Sequence, residues 1–424
     1  MKIPRLLIFS PDPTIVGLAR LPKALKIAGF EVAALCFPQS FVAKTRYLDR
    51  IFFLTKSSFS LIKTMNAVEL LQQLVKSIKV WGPDLVIFGD ETSVTFIHYV
   101  IRHADEFTDL MTSHVLEILK ASLGSPEFFE ASLFKHKTLE VVHQLGLRAP
   151  AVAAVKNSEA ALQFAEKNGY PIVLKKSFSC GGMGVKVCGD RKDLLASLPD
   201  FLPRPTSSLE SWITRSLKRN WLPQPKVLGL QQFIQGPTAM YSVVAFNGEV
   251  LAGFADVIEH NCSATGPSSV IRFIDHPEMQ ATAIALIKKF QFTGFASFDF
   301  ILEEGTSHAY LLECNPRPVP VLHLAPLVGV DLSKALLMRL QGQEWEAQLA
   351  VEKELSVALF PQEWKRDPSS ENLYHFYHDV PWDDPELVKG YILHRRYAMI
   401  PLWLMSILRS LRFRIMGLNS RVIS

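Results

Sequence analysis

The sequence has few cysteines and no long hydrophobic run, and both shortages narrow what the protein can be. Its five cysteines among 424 residues are scattered and form no CxxC pair. A disulfide framework and a zinc-ribbon site are therefore excluded, and a reducing cytoplasm is the expected location. The first apolar run is four residues long and is followed by two prolines, which predicts a strand and not a secretory signal. The longest apolar stretch near the C-terminus, Tyr397 to Leu408, is about a dozen residues, whereas a bilayer crossing needs about 20.

Most of the chain also lacks an excess of positive charge. The 45 Lys and Arg residues stand against 41 Asp and Glu residues, for a formal net charge of +4. Seven of the 45 basic residues lie between Leu387 and Ser424, where there is no acidic residue, so 38 basic residues face 41 acidic ones in the rest of the chain. Because the basic excess belongs to a short tail, a nucleic-acid partner is not expected.

The first part of the chain alternates strand and helix patterns. The apolar run from Leu6 to Phe9 precedes a helical pattern that stops at Gly29, and further strands are predicted at Glu31 to Cys36 and Leu85 to Phe88. This order predicts a parallel sheet with helices on both faces. No GxGxxG motif follows the first strand, so a dinucleotide site is not expected in spite of the Rossmann-like order.

Short strands with turn signals replace this pattern after Phe134. The dipeptide Asn247-Gly248 between two apolar runs predicts a tight hairpin. A helix is predicted from Pro277 to Phe290, followed by strands at Ala296 to Leu302 and Ala309 to Glu313. The second part of the chain is therefore predicted to contain several short strands, two of them joined in a hairpin.

A glycine-rich segment runs from Lys175 to Gly184 between two apolar strands. Glycines let backbone amides approach an anion closely, and the lysine supplies a point charge. The segment favours a site for a di- or triphosphate, and a hairpin that needs glycines only for its turn is the alternative. Besides Lys175, the candidate contacts are Ser179, Gly181, Gly182 and Gly184.

A second cluster contains Asp299, Glu313 and Asn315. Asp299 lies on an apolar strand, where an unpaired carboxylate is costly to bury, so cations are expected near it. Residues 313 and 315 share one face of the next strand because strand side chains alternate. Two carboxylates and an amide oxygen are ligands that suit Mg²⁺ with nucleotide phosphates, and Arg317 could meet a phosphoryl group bidentately. A buried ion pair at the end of a sheet is the alternative.

These motifs, in this order, resemble the ATP-grasp superfamily, of the carboxylate-amine or carboxylate-thiol ligase type, with a module like that of carbamoyl phosphate synthase. In that family a basic residue lies about eleven positions before a Gly-Leu pair, as Lys135 does here, and a strand lysine precedes the glycine loop, as Lys175 does. The metal signature of the family matches Asp299 and the Glu-x-Asn-x-Arg segment from Glu313 to Arg317.

The adenine hinge of the family resembles the segment from Gln231 to Gly236. By this resemblance the Gln232 carbonyl and the Ile234 amide would contact the adenine edge, with Phe233 between them. Gln231 replaces the usual acidic residue, and Thr238 stands where the family often has a glutamate for the ribose. The ribose contacts are therefore expected to differ from the family pattern.

The resemblance implies an α/β fold with a Rossmann-like pre-ATP-grasp domain over residues 1–125. A two-lobed α+β ATP-grasp module would follow over 126–345, with its lobes dividing near 235, and then a linker and a basic helical extension over 346–424. It also implies an enzyme that uses ATP and Mg²⁺, or Mn²⁺ as an alternative. A small-molecule carboxylate would attack the γ-phosphorus to give ADP and an acyl phosphate, which an amine or another nucleophile would displace.

The binding site for the carboxylate is less clear from the sequence. The best candidate is Arg272, with Ser268 and Ser269 as hydrogen-bond donors, although a solvent-facing arginine is equally compatible with the pattern. His323 either faces this pocket or is structural, and the structural role is favoured. Cys180 and Cys314 lie within site motifs and are interpreted as small fillers.

The tail between residues 390 and 417 places several arginines around an apolar segment with Trp403. This composition favours peripheral contact with a membrane surface, or a terminal helix packed on the acidic body. The tail resembles those of cyanobacterial ATP-grasp proteins. A catalytically weak ATP-binding scaffold or regulator docked by this tail is the alternative to an enzyme, while the complete metal set favours the enzyme. The oligomeric state stays open.

Overall fold

A computed structural model describes residues 2–55, 67–176, 184–202, 228–263 and 266–393 of the chain. The described residues form three sheets, of four, seven and four strands, with helices between and around them. The architecture is therefore mixed α/β, as predicted.

The N-terminal sheet is parallel, with the strand order β3-β2-β1-β4. Its elements are β1 (Arg5–Ser10), α1 (Leu21–Ala28), β2 (Glu31–Cys36), β3 (Arg50–Phe53), α2 (Ala67–Trp81), β4 (Leu85–Phe88), α3 (Glu91–Arg102) and α4 (Ser113–Ala121). The central strands are apolar throughout because both faces are covered: Leu6 and Ile8 enter one core, and Leu7 and Phe9 enter another. The loops after β1 and β4 lie at the same edge because parallel strands end together.

Two helices lead into the small antiparallel sheet, whose strand order is β5-β8-β6-β7. In chain order the elements are α5 (Phe129–Leu133), α6 (Lys135–Gln144), β5 (Val152–Val155), α7 (Ser158–Asn168), β6 (Ile172–Lys176), β7 (Val185–Cys188), α8 (Arg191–Phe201) and β8 (Leu228–Gln232). Asn157 caps the start of α7 by accepting a 2.9 Å hydrogen bond from the Ala160 amide.

The large sheet has the strand order β13-β12-β9-β10-β11-β14-β15. Its elements are β9 (Thr238–Phe246), β10 (Glu249–Asn261), β11 (Ser268–Ile274), α9 (Pro277–Phe290), β12 (Gly294–Leu302), β13 (Ala309–Asn315), α10 (Leu332–Leu340), β14 (Leu355–Leu359), α11 (Gln362–Arg366), α12 (Asn372–His375), β15 (Tyr377–Asp379) and α13 (Pro385–Leu393). The predicted hairpin joins β9 to β10, and Asn247 and Gly248 both have positive φ, at 48° and 79°.

The two faces of the large sheet have different neighbours. One face packs against α9 through a core that includes Tyr241, Phe298 and Leu286. The opposite face shares a core with β1, α1 and α10, which includes Phe254, Phe273 and Leu336. We call this second face the inner face. It brings the large sheet against the N-terminal sheet, and it also carries Asp299.

The C-terminal segment differs from the predicted linker. Between Leu355 and Leu393 the chain is folded, and β14 extends the large sheet beside β11. Its acidic residues pair with the N-terminal part: Asp379 contacts Arg20, and Asp383 lies 2.8 Å from Lys23. Charge pairing and strand addition hold this segment to the body, and the sequence alone does not reveal either.

Most of the predicted basic helix, from residue 394 onward, lies outside the described residues. Among the helices that the structure does describe, none has the length and hydropathy needed to cross a bilayer.

Candidate active site

The predicted metal ligands meet at one corner of the inner face. Asp299 on β12 is the direct register partner of Glu313 on β13, and Ser297 is the partner of Asn315. Directly paired residues of adjacent strands share a face, so the two carboxylates and the Asn315 amide project to the same side. Among the described residues, no three His, Cys, Asp or Glu side chains converge as a complete metal site. These three oxygen donors would need phosphate or water ligands to hold Mg²⁺.

The two carboxyl groups have opposite pKa shifts. Burial raises the pKa of Asp299 well above its usual range, and the neighbouring Glu313 carboxylate raises it further. Burial alone would also raise the pKa of Glu313, but the Lys135 ammonium beside it lowers that pKa. The two carboxylates therefore repel each other when both are charged, and a divalent cation would relieve that repulsion.

Two lysines stand against these carboxylates. Lys135 begins α6, and its ammonium group contacts the Glu313 carboxylate; burial would lower the pKa of Lys135, but Glu313 raises it. Lys175 lies on β6, where burial, reinforced by repulsion from Lys135, lowers its pKa to about 8. Lys135 and Lys175 lie on elements that are distant in sequence, α6 and β6, and the fold brings them together as the family resemblance predicts.

A cleft between α6 and the small sheet contains both lysines. Apolar side chains form much of its lining, including Phe134, Leu139, Val152 and Leu230, with Gln231 beside them. Apolar walls with cationic groups suit a purine with a phosphate chain. The cleft adjoins the carboxylate pair because Lys135 takes part in both.

The predicted adenine hinge follows β8 directly. The Gln232 amide donates to the Ala151 carbonyl at 2.9 Å, and Gln231 and Ile234 are buried. Phe233 is half-buried in the loop that follows. The Glu304 amide donates to the Gln235 carbonyl at 2.9 Å, so the hinge is fixed to the end of β12. Thr238 begins β9 and pairs with Ile301, which puts it on the inner face with Asp299.

Gly236 is the residue in the hinge that a side chain would disrupt most. Its φ is 153°, and a Cβ at this position would lie 1.8 Å from the Leu302 carbonyl oxygen. We expect Gly236→Ala to cost roughly 2–4 kcal/mol of unfolding free energy and to weaken ATP binding, as measured by urea unfolding and calorimetry. Gly305→Ala is the matched control because Gly305 also has positive φ, 84°, but open space around it. Equal losses in the two variants would contradict the contact argument.

The glycine-rich segment connects β6 to β7, whose residues Lys175 and Val185 are direct register partners. Gly184 directly precedes β7 and is buried. Ser179, Gly181 and Gly182 lie outside the described residues, and so does Cys180. The predicted phosphate contacts of this loop stay predictions.

Arg317 follows the metal segment and reaches the N-terminal sheet. Its guanidinium lies 3.4 Å from the Glu91 carboxylate and 3.5 Å from the Asn315 side-chain oxygen. The Arg317 Nε is buried without a partner among the described residues. Glu91 begins α3 at the edge where the parallel strands end, so this contact joins the N-terminal sheet to the site. Sequence reasoning missed Glu91, although its position directly after a buried strand was the available signal.

Arg272 is not brought to this cluster. On β11 it lies between Ile271 and Phe273, which both enter the inner core, so its side chain projects from the opposite face. There it forms ion pairs with Glu259 at 2.9 Å and with Glu354 at 2.6 Å. Strand alternation turns Arg272 away from the cluster, so the structure does not support the predicted contact with a substrate carboxylate.

The other predicted candidates are also placed away from the cluster or without a role in it. Ser268 lies at the start of β11, and Ser269 is fully buried. His323 lies 3.1 Å from Asp379 in the buried contact with Arg20, which agrees with the favoured structural role. Cys314 is half-buried, and burial raises its pKa well above the ordinary thiol value, which agrees with its interpretation as a small filler.

Asp256 is a residue on the inner face that sequence reasoning overlooked. It lies on β10 with no exposed surface, and neither carboxylate oxygen has a hydrogen-bond partner among the described residues. Burial raises its pKa to about 8. Its place within an apolar strand, the segment from Phe254 to Val257, was the signal in the sequence.

Comparison with known proteins supports the fold. Residues 101–220 match the family model described as the carbamoyl-phosphate synthase L chain, ATP binding domain. Among solved structures, the biotin carboxylase domain of 2-oxoglutarate carboxylase from Hydrogenobacter thermophilus, in complex with MgADP and bicarbonate, superposes with a TM-score of 0.58. It is 17% identical, and the match covers 83% of this chain and 73% of that one. The chain therefore shares the fold of these proteins, which are members of the ATP-grasp superfamily, and the predicted fold class is confirmed.

The chain is also similar to an amino acid ligase and to a carbamoyl phosphate synthase. The L-amino acid ligase of Bacillus licheniformis superposes with a TM-score of 0.54 at 16% identity, over 84% of this chain and 79% of that one. The carbamoyl phosphate synthase large chain of Pyrococcus furiosus is 24% identical over 309 residues, which are 70% of this chain and 25% of that protein. The chain thus spans about a fifth to a quarter of the length of the curated relatives it matches.

Proposed function

We propose that the protein is an ATP-dependent, ADP-forming ligase that activates a small-molecule carboxylate as an acyl phosphate and couples it to an amine or another nucleophile. The observation that carries the proposal is the meeting of Asp299 and Glu313 with Lys135 beside a cleft that also contains Lys175. The ATP-grasp fold, the matching ATP-binding family model and the similarity to ligases support it.

Phosphoryl transfer needs charge neutralisation and positioning more than covalent help from the protein. Lys135 and Lys175 would hold the phosphate oxygens of ATP. Arg317, which follows Asn315 in the chain, would neutralise the charge of the transferred phosphoryl group. Asp299, Glu313 and Asn315 would hold Mg²⁺, or Mn²⁺ in its place, which supplies Lewis-acid stabilisation of the phosphate charge when bound. The hinge from Gln231 to Ile234, with Thr238, would hold adenine and ribose in the apolar cleft.

Phosphate release from ATP tests this function. Full-length protein with ATP and Mg²⁺ would be assayed against a panel of carboxylates, each with mixed amines, and ADP, phosphate and a new amide are the expected products. ATP binding without release stimulated by any pair would instead favour a regulatory or scaffold protein. A cytoplasmic location is proposed from the scattered cysteines.

We further propose that the C-terminal tail brings the enzyme to a membrane surface. The tail follows α13, at whose end Ile392 and Leu393 are 48% and 63% exposed, and Trp382 close to this helix is 77% exposed. Residues 394–424 contain six arginines and no acidic residue. Apolar exposure next to basic sequence suits an anionic lipid surface.

A chain that ends at Leu393 should therefore lose binding to vesicles. We expect full-length protein to float with vesicles that contain one-third phosphatidylserine, and the shortened chain to stay at the bottom of the gradient. Vesicles of phosphatidylcholine alone are the control, because they lack the attraction to arginine. Equal flotation of the two chains would contradict the membrane role and favour a tail packed on the body.

A further inference from the structure

The inner face of the large sheet has a second polar region, centred on Asp256. This carboxyl group is fully buried, and neither of its oxygens has a hydrogen-bond partner among the described residues. The hydroxyl groups of Ser242 and Ser297 on β9 and β12 are also fully buried and lack partners there. Buried polar groups are normally paired, so three neighbouring unpaired groups indicate a missing polar partner.

Strand register places this region next to the candidate metal site. Met240 is the direct partner of both Asp299 and Asp256, so all three residues share the inner face. Ser242 and Ser297 are direct partners one step along the same strands. Asp299 and Asp256 are two strand spacings apart, roughly 10 Å, which is close to the length of a small organic substrate.

Met240 is the residue between the two regions. It is half-buried, so part of its surface is exposed one strand away from Asp256. Methionine is unbranched and has several rotatable bonds, and it adapts to what it packs against. A small substrate could therefore reach Asp256 from the phosphate end of the site without a change in the sheet.

The chemistry of Asp256 selects the group that it would bind. An anion would be repelled, and an apolar group would leave the carboxyl group without a partner. A primary ammonium group supplies both the opposite charge and up to three donors, which match the two carboxylate oxygens and a serine hydroxyl. The raised pKa of Asp256 agrees with this choice, because an adjacent ammonium group would restore the charged carboxylate.

We propose that Asp256, with Ser242 and Ser297, binds the ammonium group of a small substrate on the inner face, beside the site of acyl phosphate formation. This inference rests on the proposed ligase function and adds the substrate class to it. The ammonium group belongs either to the incoming amine, which would pass one proton to the Asp256 carboxylate before its nitrogen attacks the acyl phosphate, or to an amino acid that serves as the carboxylate substrate. Both sources present the same group to Asp256, and the experiment separates them.

The test uses full-length protein with ATP and Mg²⁺, and hydroxylamine to trap the acyl phosphate as a hydroxamate. In one arm the carboxylates are the twenty L-amino acids and their des-amino analogues, such as propionate for alanine. In the other arm ammonia, methylamine, ethanolamine and L-amino acids compete with hydroxylamine. Asp256→Asn should raise KM for the ammonium-bearing substrate roughly ten- to hundredfold, the effect of one charge-assisted hydrogen bond.

The pattern of the effect distinguishes binding from a structural role. A des-amino carboxylate should keep its KM and kcat in Asp256→Asn, whereas a distorted sheet would impair every substrate. Ser242→Ala should raise the same KM severalfold, and Asp275→Asn, an exposed aspartate just beyond β11, should change nothing. An unchanged KM for every ammonium-bearing substrate in Asp256→Asn would overturn the inference and leave the ligase intact. A wild-type protein that forms no hydroxamate from any carboxylate would overturn the proposed function, and this inference with it.

Discussion

Asp299→Ala and Glu313→Ala are each expected to lower ATP turnover by at least two to three orders of magnitude while the protein stays folded. Each variant removes one of the two carboxylates that would hold Mg²⁺ on the phosphates, and preorganised charge of this kind is usually the largest contribution to such catalysis. The measurement is ADP release at saturating Mg²⁺ with the best carboxylate and amine of the panel. Arg272→Ala is the matched control, because its charged group faces the other side of the sheet.

The two variants should differ in stability, which separates the site from a plain ion pair. Burial and Glu313 disfavour the charged form of Asp299, so removing Asp299 should leave the unfolding free energy unchanged or higher. Removing Glu313 leaves the Lys135 ammonium group without its ion-pair partner, so the melting temperature of this variant should fall. Normal ADP release in either variant would exclude these residues from the site. Loss of turnover in Arg272→Ala would mean that substrate binding involves the opposite face.

The positions that sequence reasoning found are those that a short stretch of chain determines. Asp299, Glu313 and Asn315 meet because residues two apart on one strand share a face and because adjacent strands of a hairpin pair directly. Asn247-Gly248 predicted its hairpin for the same reason: two residues with positive φ make the turn by themselves. Features of this kind can be predicted from the sequence because they depend on residues that are close together in the chain.

The positions that were missed or wrong depend on pairing between distant segments. Arg272 would face the site if β11 were shifted by one residue, and only its ladder with β10 and β14 fixes the direction of its side chain. Segment 355–359 pairs with β11, which lies about 80 residues earlier in the chain. Nothing within the segment itself indicates that it will extend that sheet. Glu91 reaches Arg317 across more than 200 residues, through the packing of two separate sheets.

Asp256 shows why an unusual residue in an apolar strand is informative only with the structure in hand. In the sequence Asp256 stands between the apolar residues Ala255 and Val257, and nothing nearby in the chain shows which face of the strand it will occupy. The register of β10 places it inside, where an unpaired carboxyl group is costly. Natural proteins accept such local conflicts mainly where function requires them.

That cost predicts how the stability of the ligand-free protein depends on pH. Burial raises the pKa of Asp256 to about 8 in the folded protein, whereas an aspartate in the unfolded chain has a pKa of about 3.9. Between these values the folded protein keeps a proton that the unfolded chain has released, so each rise in pH favours unfolding. The destabilisation from Asp256 should therefore be absent below about pH 4 and grow up to about pH 8, reaching at most roughly 5 kcal/mol.

Asp256→Asn removes this titration with almost no change in size. We expect the variant and the wild type to have similar unfolding free energies at pH 4.5, and the variant to be more stable by several kcal/mol at pH 8, measured by urea unfolding at both pH values. The difference between the two proteins cancels the contribution of Asp90, whose pKa burial raises to about 6 and which titrates in the same range. Asp275→Asn should follow the wild type at each pH, because Asp275 is exposed. A variant less stable than the wild type at pH 8 would mean that Asp256 has a cationic or donor partner in the free protein, and the carboxyl group would then be structural.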